Sequence, residues 1–192
     1  DGLQFVAKNF NGTKIRIPQE IMRLGNIRVK GYAQGKGRTI SSRGNIQTDA
    51  GNVQLQLSLT SNQFSGNIQT DGINLSRILN DNHYGQVVAD IKAEGRLKAY
   101  GQHNQKKLPV DQLTLKGNIG RFDYKGYSYR NLTVDGSLNN HTIGGLLTMD
   151  DPNGKVELNG SVNFSKQAPT VHLTGSVRNF NAQALQLTNA LG

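Results

Sequence analysis

Few residues of this 192-residue chain have the types and spacing that catalysis requires. Its four histidines are far apart in sequence and lack the spacing of metal ligands: they are His83, His103, His141 and His172. Asp150 and Asp151 precede a Pro-Asn-Gly sequence, where a hairpin turn explains the acidic residues better than a calcium site does. We therefore expect no enzymatic activity, no cofactor and no metal ion.

Other catalytic patterns are missing from the sequence as well. It contains no nucleophile elbow, no phosphate-binding loop and no dinucleotide fingerprint. Asp90 and Glu94 lie in one alternating segment with Lys92 between them, which is typical of a solvated, charge-balanced strand face and not of an acid/base pair. The chain has no cysteine, so disulfides and thiolate metal sites are excluded.

The chain is basic, with 22 Lys and Arg against 13 Asp and Glu and a formal net charge of +9. This balance favours anionic partners. The basic residues are scattered, however, and aromatic residues do not alternate with them as in a groove that stacks bases. We therefore expect diffuse attraction to anionic surfaces and no nucleic-acid partner. The densest basic groups are Lys14 and Arg16, Arg28 and Lys30, Lys36 and Arg38, and Lys106 and Lys107.

The strongest pattern is a strict alternation of apolar and polar residues from about residue 50 onward. Alternate side chains of a strand point to opposite faces, so each segment presents one aliphatic side and one polar side. The aliphatic side is predicted to consist of Val53, Leu55, Leu57, Leu59, Ile91, Leu97, Leu113, Leu115, Ile119, Leu132, Val134, Val156, Leu158, Val162, Phe164, Leu173 and Val177.

Short turns separate these segments, most clearly Asp151-Pro152-Asn153-Gly154, which predicts a tight hairpin. Strands joined by short turns are antiparallel, so the sequence predicts an all-β antiparallel meander. Only short helices are expected, at residues 18–24, 73–80 and 181–188.

Glycines recur on the aliphatic side of the predicted strands. One interpretation is that the strands simply tolerate them. The other is that they let the sheet bend, or let another group approach its concave face closely. The residues concerned are Gly95, Gly117, Gly136, Gly160 and Gly175.

An aliphatic sheet face of this kind needs cover. About ten strands spaced ~4.8 Å apart make a face on the order of 1,000 Å², whereas soluble monomers seldom expose more than a few hundred Å² of contiguous apolar surface. The sheet can close into a barrel, pack on a second sheet, or curl into a trough that holds an apolar ligand. Aliphatic side chains with glycine gaps favour the trough, because acyl chains need no directed hydrogen bonds.

Several stretches resemble the TamB/AsmA-like family, most closely its large members from Bacteroides-type bacteria, and together they cover most of residues 50–188. They read GRFDYKGY at 120–127, NLTVDG at 131–136, DDPNGKVELNG at 150–160, TDGINLSRIL at 70–79, DIKAEG at 90–95 and GSVRNF at 175–180. Residues 1–49 are similar in texture only.

The resemblance implies an elongated, taco-like β groove with an apolar interior, formed by a periplasmic protein that is anchored in the inner membrane. Such a protein works in outer-membrane biogenesis and passes phospholipid between the two membranes. Its partners are phospholipid acyl chains, the inner and outer membranes, and an outer-membrane barrel assembly protein. The groove lining maps onto the aliphatic positions named above, and the family has no catalytic motif.

The whole chain, residues 1–192, is then one groove segment of a larger repetitive protein, with a weak internal repeat at about residues 50–98 and 155–192. The alternative is a structural or adhesive β-sandwich at the cell surface that binds glycan or protein. Tyr124, Tyr127 and Tyr129 would then stand at its rim and stack on sugars.

Overall fold

The computed structural model of this chain describes residues 19–97, 110–139, 141–165 and 168–187. Ten strands form one antiparallel sheet, in which each strand pairs with its neighbours in sequence. The strands are β1 (Arg28–Lys36), β2 (Thr39–Thr48), β3 (Gly51–Thr60), β4 (Gln63–Asn74), β5 (Tyr84–Leu97), β6 (Val110–Tyr124), β7 (Tyr127–Asn139), β8 (Thr142–Asp151), β9 (Gly154–Asn163) and β10 (Thr170–Arg178). The predicted all-β antiparallel meander is confirmed.

In the described part of the chain, two short helices accompany the sheet. Helix α1 (Gln19–Met22) precedes β1, and α2 (Leu75–Leu79) lies between β4 and β5. The third helix candidate was wrong over its described part, because residues 181–187 form hydrogen-bonded turns and no helix. Several residues singled out in the sequence lie outside the described residues, namely Lys14, Arg16, His103, Lys106 and Lys107.

Tight turns make the meander. Lys125 and Gly126 join β6 to β7 with φ angles of 49° and 81°. Two consecutive positive φ values are typical of the type I′ turn, whose twist matches that of the flanking strands. Pro152 and Asn153 join β8 to β9 between the paired residues Asp151 and Gly154, which confirms the predicted hairpin.

The strand register sorts the aliphatic residues into rows that run across the sheet. Directly opposed residues of paired strands point to the same face, so a row can be followed from strand to strand. Three such rows, numbered here from the β1–β2 turn side, cross all ten strands. Row 1 runs from Gly35 to Val171, row 2 from Ala33 to Leu173, and row 3 from Gly31 to Gly175. A fourth row follows at the opposite end of the strands and reaches Val177 on β10.

These four rows form the apolar face of the sheet. The predicted glycines all lie in it: Gly95 in row 1, Gly136 and Gly160 in row 2, and Gly117 and Gly175 in row 3. In row 2, Gly136, Gly145 and Gly160 are direct partners on three successive strands. The middle of the apolar face is therefore poor in side-chain bulk at β7 and β8.

The compact hydrophobic core is small and lies at the row 4 end of β6–β9. Tyr129, Met149 and Leu185 are buried there, and the turn at residues 181–187 closes the cluster. Tyr129 and Leu132 point to the same side although they are three residues apart, because Asn131 between them has a positive φ of 52° and interrupts the alternation. The partly buried side chains around the cluster are Phe122, Tyr124, Tyr127, Leu132, Val156 and Leu187.

Candidate functional site

The structure brings nearly all the predicted lining residues together on the apolar face. Row 1 contains Leu59, Leu113 and Val162; row 2 contains Leu57, Leu115 and Leu173; row 3 contains Leu55, Ile91, Val134 and Leu158; row 4 contains Ile119, Leu132, Val156 and Val177, with Val53 at the same end of β3. The alternation of apolar residues was sufficient to place them on one surface.

Two predicted lining residues lie at the margin of this face. Leu97 pairs with Val110 beyond a register shift at the end of β5. Phe164 follows the last residue of β9, and its ring meets the His141 imidazole edge-on with 6.1 Å between the ring centroids. Both residues therefore extend the face beyond row 1 and do not belong to its centre.

No second layer of described residues covers rows 1–3 of the apolar face, whereas the turn at residues 181–187 packs over its row 4 end. Extensive contacts between elements join only neighbouring strands, α2 with β5, and α1 with α2, within the part of the chain that the structure describes. The sheet is open, since its edge strands β1 and β10 do not pair with each other. Leu57 in the third strand is 39% exposed and Leu173 on the edge strand is 65% exposed.

The three tyrosines that were predicted to stand at a sugar-binding rim pack into the small core instead. The rings of Tyr127 and Tyr129 meet edge-on with centroids 4.8 Å apart, and Tyr124 stacks on Phe122 at 6.2 Å. The Tyr129 hydroxyl donates to the Leu185 carbonyl over 2.8 Å. Burial raises the pKa of both Tyr127 and Tyr129 above the usual 10.0. Tyr129 is therefore buried in the core, while Tyr124 and Tyr127 are partly buried against it.

The acidic turn residues have structural partners. Asp151 is buried, and its carboxylate accepts hydrogen bonds from the Tyr127 hydroxyl and from the backbone N–H groups of Arg130 (3.0 Å) and Asn153 (2.9 Å). Asp150 pairs with Lys155 at 2.9 Å. This network holds the β8–β9 hairpin against β7.

The three described histidines are dispersed over the sheet. His83 contacts Asp81 at 2.7 Å, His141 lies against Phe164, and His172 lies exposed on the polar face of β10, as its position in the alternation predicted. Within the described residues, no three His, Cys, Asp or Glu side chains are grouped so that they could hold a metal ion.

Several cavities lie on the polar face of β1–β6. Cavities of about 490 and 400 Å³ overlap, since Ser58, Ser65 and Glu94 line both. A third, of about 420 Å³, lies farther along the same face beside Asn45 and Asp90. All three are shallow and open to solvent.

Polar side chains bridge neighbouring strands on this face. Gln69 donates to Asp90 over 2.7 Å, and Arg96 donates to Gln112 over 2.8 Å. Asp90 and Glu94 both lie on this polar face, as the alternation predicted. The sequence did not predict these cavities, because the alternation shows which residues share the polar face but not where that face is concave.

The chain was compared with protein families, curated proteins and solved structures. No family model, no curated protein and no solved structure matches this chain. Among the described residues, no helix has the length and hydropathy needed to cross a membrane. The similarity to the TamB/AsmA-like family therefore stays a prediction made from the residues themselves.

Proposed function

We propose that this chain is a groove segment of a lipid-transport protein, in which the apolar face shields phospholipid acyl chains from water. The observation that carries the proposal is the aliphatic face, whose three rows each cross all ten strands and are not covered by a second layer of described residues. A contiguous apolar surface on this scale is unusual for a protein with no partner.

The chemistry of the rows suits acyl chains. They contain Leu, Ile, Val, Ala and Gly with few hydrogen-bonding side chains, so a hydrocarbon can slide along the face without breaking directed contacts. Each CH₂ group that leaves water contributes about 0.8 kcal/mol. Gly136 and Gly145, direct partners on β7 and β8, leave a low strip between rows 1 and 3 that runs across these two strands, the direction in which a chain would pass from one strand to the next.

In this proposal the sheet is one wall of an elongated, taco-like groove within a larger repetitive protein. The groove lies in the periplasm of a bacterium, and the full-length protein is anchored in the inner membrane and assists outer-membrane biogenesis. Its partners are phospholipid acyl chains, the two membranes and an outer-membrane barrel assembly protein. Support for these features comes from the residues that resemble the family and from the three aliphatic rows that no second layer of described residues covers.

Native mass spectrometry of the gently purified chain, with lipid extraction from the same sample, tests the proposal. We expect phospholipid to co-purify in near-stoichiometric amounts. A stable monomer without lipid would contradict the proposal. A dimer without lipid would also contradict it, because a second copy would then cover the face.

A further inference from the structure

We propose that the polar face of β1–β6 binds an acidic polysaccharide, on the side of the sheet opposite the lipid-shielding face. The binding site is the polar groove, defined here as the two overlapping cavities of about 490 and 400 Å³. Ligand sites commonly enclose 300–1,000 Å³. The inference does not depend on the apolar face carrying lipid.

Hydroxyl and amide side chains dominate the lining of the polar groove. Such groups donate and accept hydrogen bonds and match the alternating hydroxyls of a sugar chain. Asn67 is notable among them, because its side-chain carbonyl oxygen is shielded from solvent and accepts no hydrogen bond from a described residue. Buried polar atoms are nearly always paired, so an unpaired one requires an explanation. The other polar lining residues include Gln34, Ser41, Gln56, Ser58, Gln63 and Thr114.

The charge of the polar groove selects an anionic sugar. Among the described residues, Arg43, Lys92 and Arg96 line it against one acidic residue, Glu94. The two guanidinium groups donate to neutral amides, Arg43 to Gln56 over 3.4 Å and Arg96 to Gln112 over 2.8 Å, and neither forms an ion pair with a described carboxylate. Lys92 forms no ion pair with any residue that the structure describes.

The neighbouring hairpin adds to this positive field. Between residues 23 and 48 the chain has basic residues on α1–β2 and no Asp or Glu. Long-range attraction from such a cluster raises the association rate of anionic ligands and weakens with salt. The basic residues of this segment are Arg23, Arg28, Lys30, Lys36, Arg38 and Arg43.

Tyr32 supplies an aromatic surface at the edge of the polar groove. It lies directly opposite Arg43 on the neighbouring strand and is 61% exposed. The other described tyrosines, Tyr84 included, belong to the aromatic cluster at the far end of the sheet. An exposed tyrosine beside an arginine is a common composition of binding hot spots. One such ring suits a sugar, whereas a nucleic acid would need several rings for successive bases.

Titration calorimetry with polygalacturonate oligosaccharides tests the inference. Maltooligosaccharides of equal length control for charge, and single-stranded DNA of equal charge controls for the sugar. We expect polygalacturonate to bind most tightly. Arg43→Gln and Lys92→Gln should each weaken binding about 3- to 10-fold, and Tyr32→Ala about tenfold. Tyr32→Phe should retain most of the affinity, because the ring remains.

Arg178→Gln is the matched control, because it removes the same charge from the same face on β10, far from the polar groove. It should leave the affinity unchanged. The inference fails if polygalacturonate does not bind, if DNA binds as tightly, or if Arg178→Gln weakens binding as much as Arg43→Gln. Thermal melting of each variant verifies that it is folded.

Discussion

The ring of Phe64 lies across Gly95, its direct partner on the neighbouring strand, with Cζ 2.8 Å from the point where a β-carbon of residue 95 would stand. Leu173 covers Gly160 in the same way, with Cδ1 at 2.9 Å from the corresponding point. A large side chain thus fills the space over a glycine on the next strand, and a one-residue slip would break every such pair.

These pairs settle which interpretation of the glycines applies at most positions. At Gly95, Gly117, Gly160 and Gly175 the neighbouring strand occupies the space of a β-carbon, so the close approach comes from the sheet itself. Gly136 differs, since the nearest atom to its β-carbon position is the Gly144 carbonyl oxygen at 3.7 Å. There a β-carbon would fit.

The contrast between two glycines of the apolar face gives the first prediction. Gly95→Ala must displace the Phe64 ring and the Gln112 carbonyl, so we expect the free energy of unfolding to fall by about 1–3 kcal/mol. Gly136→Ala should raise it by about 0.5–1 kcal/mol, because alanine restricts the unfolded chain more than glycine does. Urea denaturation measures both, and equal effects would contradict this account of the close approach.

A charged side chain introduced on the apolar face should reduce lipid binding without preventing the protein from folding. Leu57 is already 39% exposed, so Leu57→Arg can place its guanidinium in water, and we expect a loss of only about 1 kcal/mol in unfolding free energy. Co-purified phospholipid should fall at least severalfold in the same variant.

Gln54→Arg is the control for this change, since it adds the same charge to the polar face of the same strand. It should leave the bound lipid unchanged. Lipid extraction with phosphate quantification compares the two variants. If Leu57→Arg retains the same amount of co-purified phospholipid, the apolar face does not bind the lipid.

The pH dependence of stability should depend on Asp123. Its carboxylate accepts from Arg121 Nε (2.7 Å), the Ser128 hydroxyl (2.6 Å) and the Gln86 backbone N–H (3.2 Å), and these bonds, the Arg121 one foremost, hold its pKa below the ordinary 3.8. Because the folded pKa is the lower one, the stabilisation is fully present above the unfolded pKa and is lost as the pH falls through the folded pKa.

Asp123→Asn should therefore lower stability by about 1–2 kcal/mol at neutral pH and flatten the decrease in stability below about pH 4. Asp135→Asn removes a carboxylate whose pairing with Lys116 at 2.8 Å is exposed, and it should cost less than about 1 kcal/mol. Thermal melting between pH 2 and pH 7 makes the comparison. If the stability of Asp123→Asn and of the unmodified protein decreases equally between pH 4 and pH 2, Asp123 does not cause the acid sensitivity.

The small core should respond to the turn that closes it. Leu185 is 0% exposed against Tyr129 and Met149, so Leu185→Ala should cost about 2–4 kcal/mol through the cavity that it leaves. Leu79→Ala is the matched change in α2, where the leucine is 44% exposed, and it should cost less than about 1 kcal/mol. Chemical denaturation of both variants tests this difference, and similar losses would show that the turn is not part of the core.

The sequence did not reveal the first two strands. Five of the eight apolar-face positions paired between β1 and β2 are occupied by Gly31, Ala33, Gly35, Ser42 and Gly44, so the alternation is weak although the strands pair in register with the rest. These segments form strands by pairing with their neighbours: β2 pairs with the strongly alternating β3, and β1 pairs with β2. Local pattern alone cannot detect a strand that depends on its neighbour.

What the sequence by itself determined is the two-faced character of the chain. Alternation with period two is a local property, and it correctly placed Leu55, Leu115, Val134 and Leu158 on one surface and predicted the antiparallel connections. What only the tertiary structure decided is which residues oppose each other, that the described strands form one open sheet, and where the polar groove lies. Those features depend on contacts between residues distant in sequence, such as Arg43 with Gln56 and Tyr129 with Leu185.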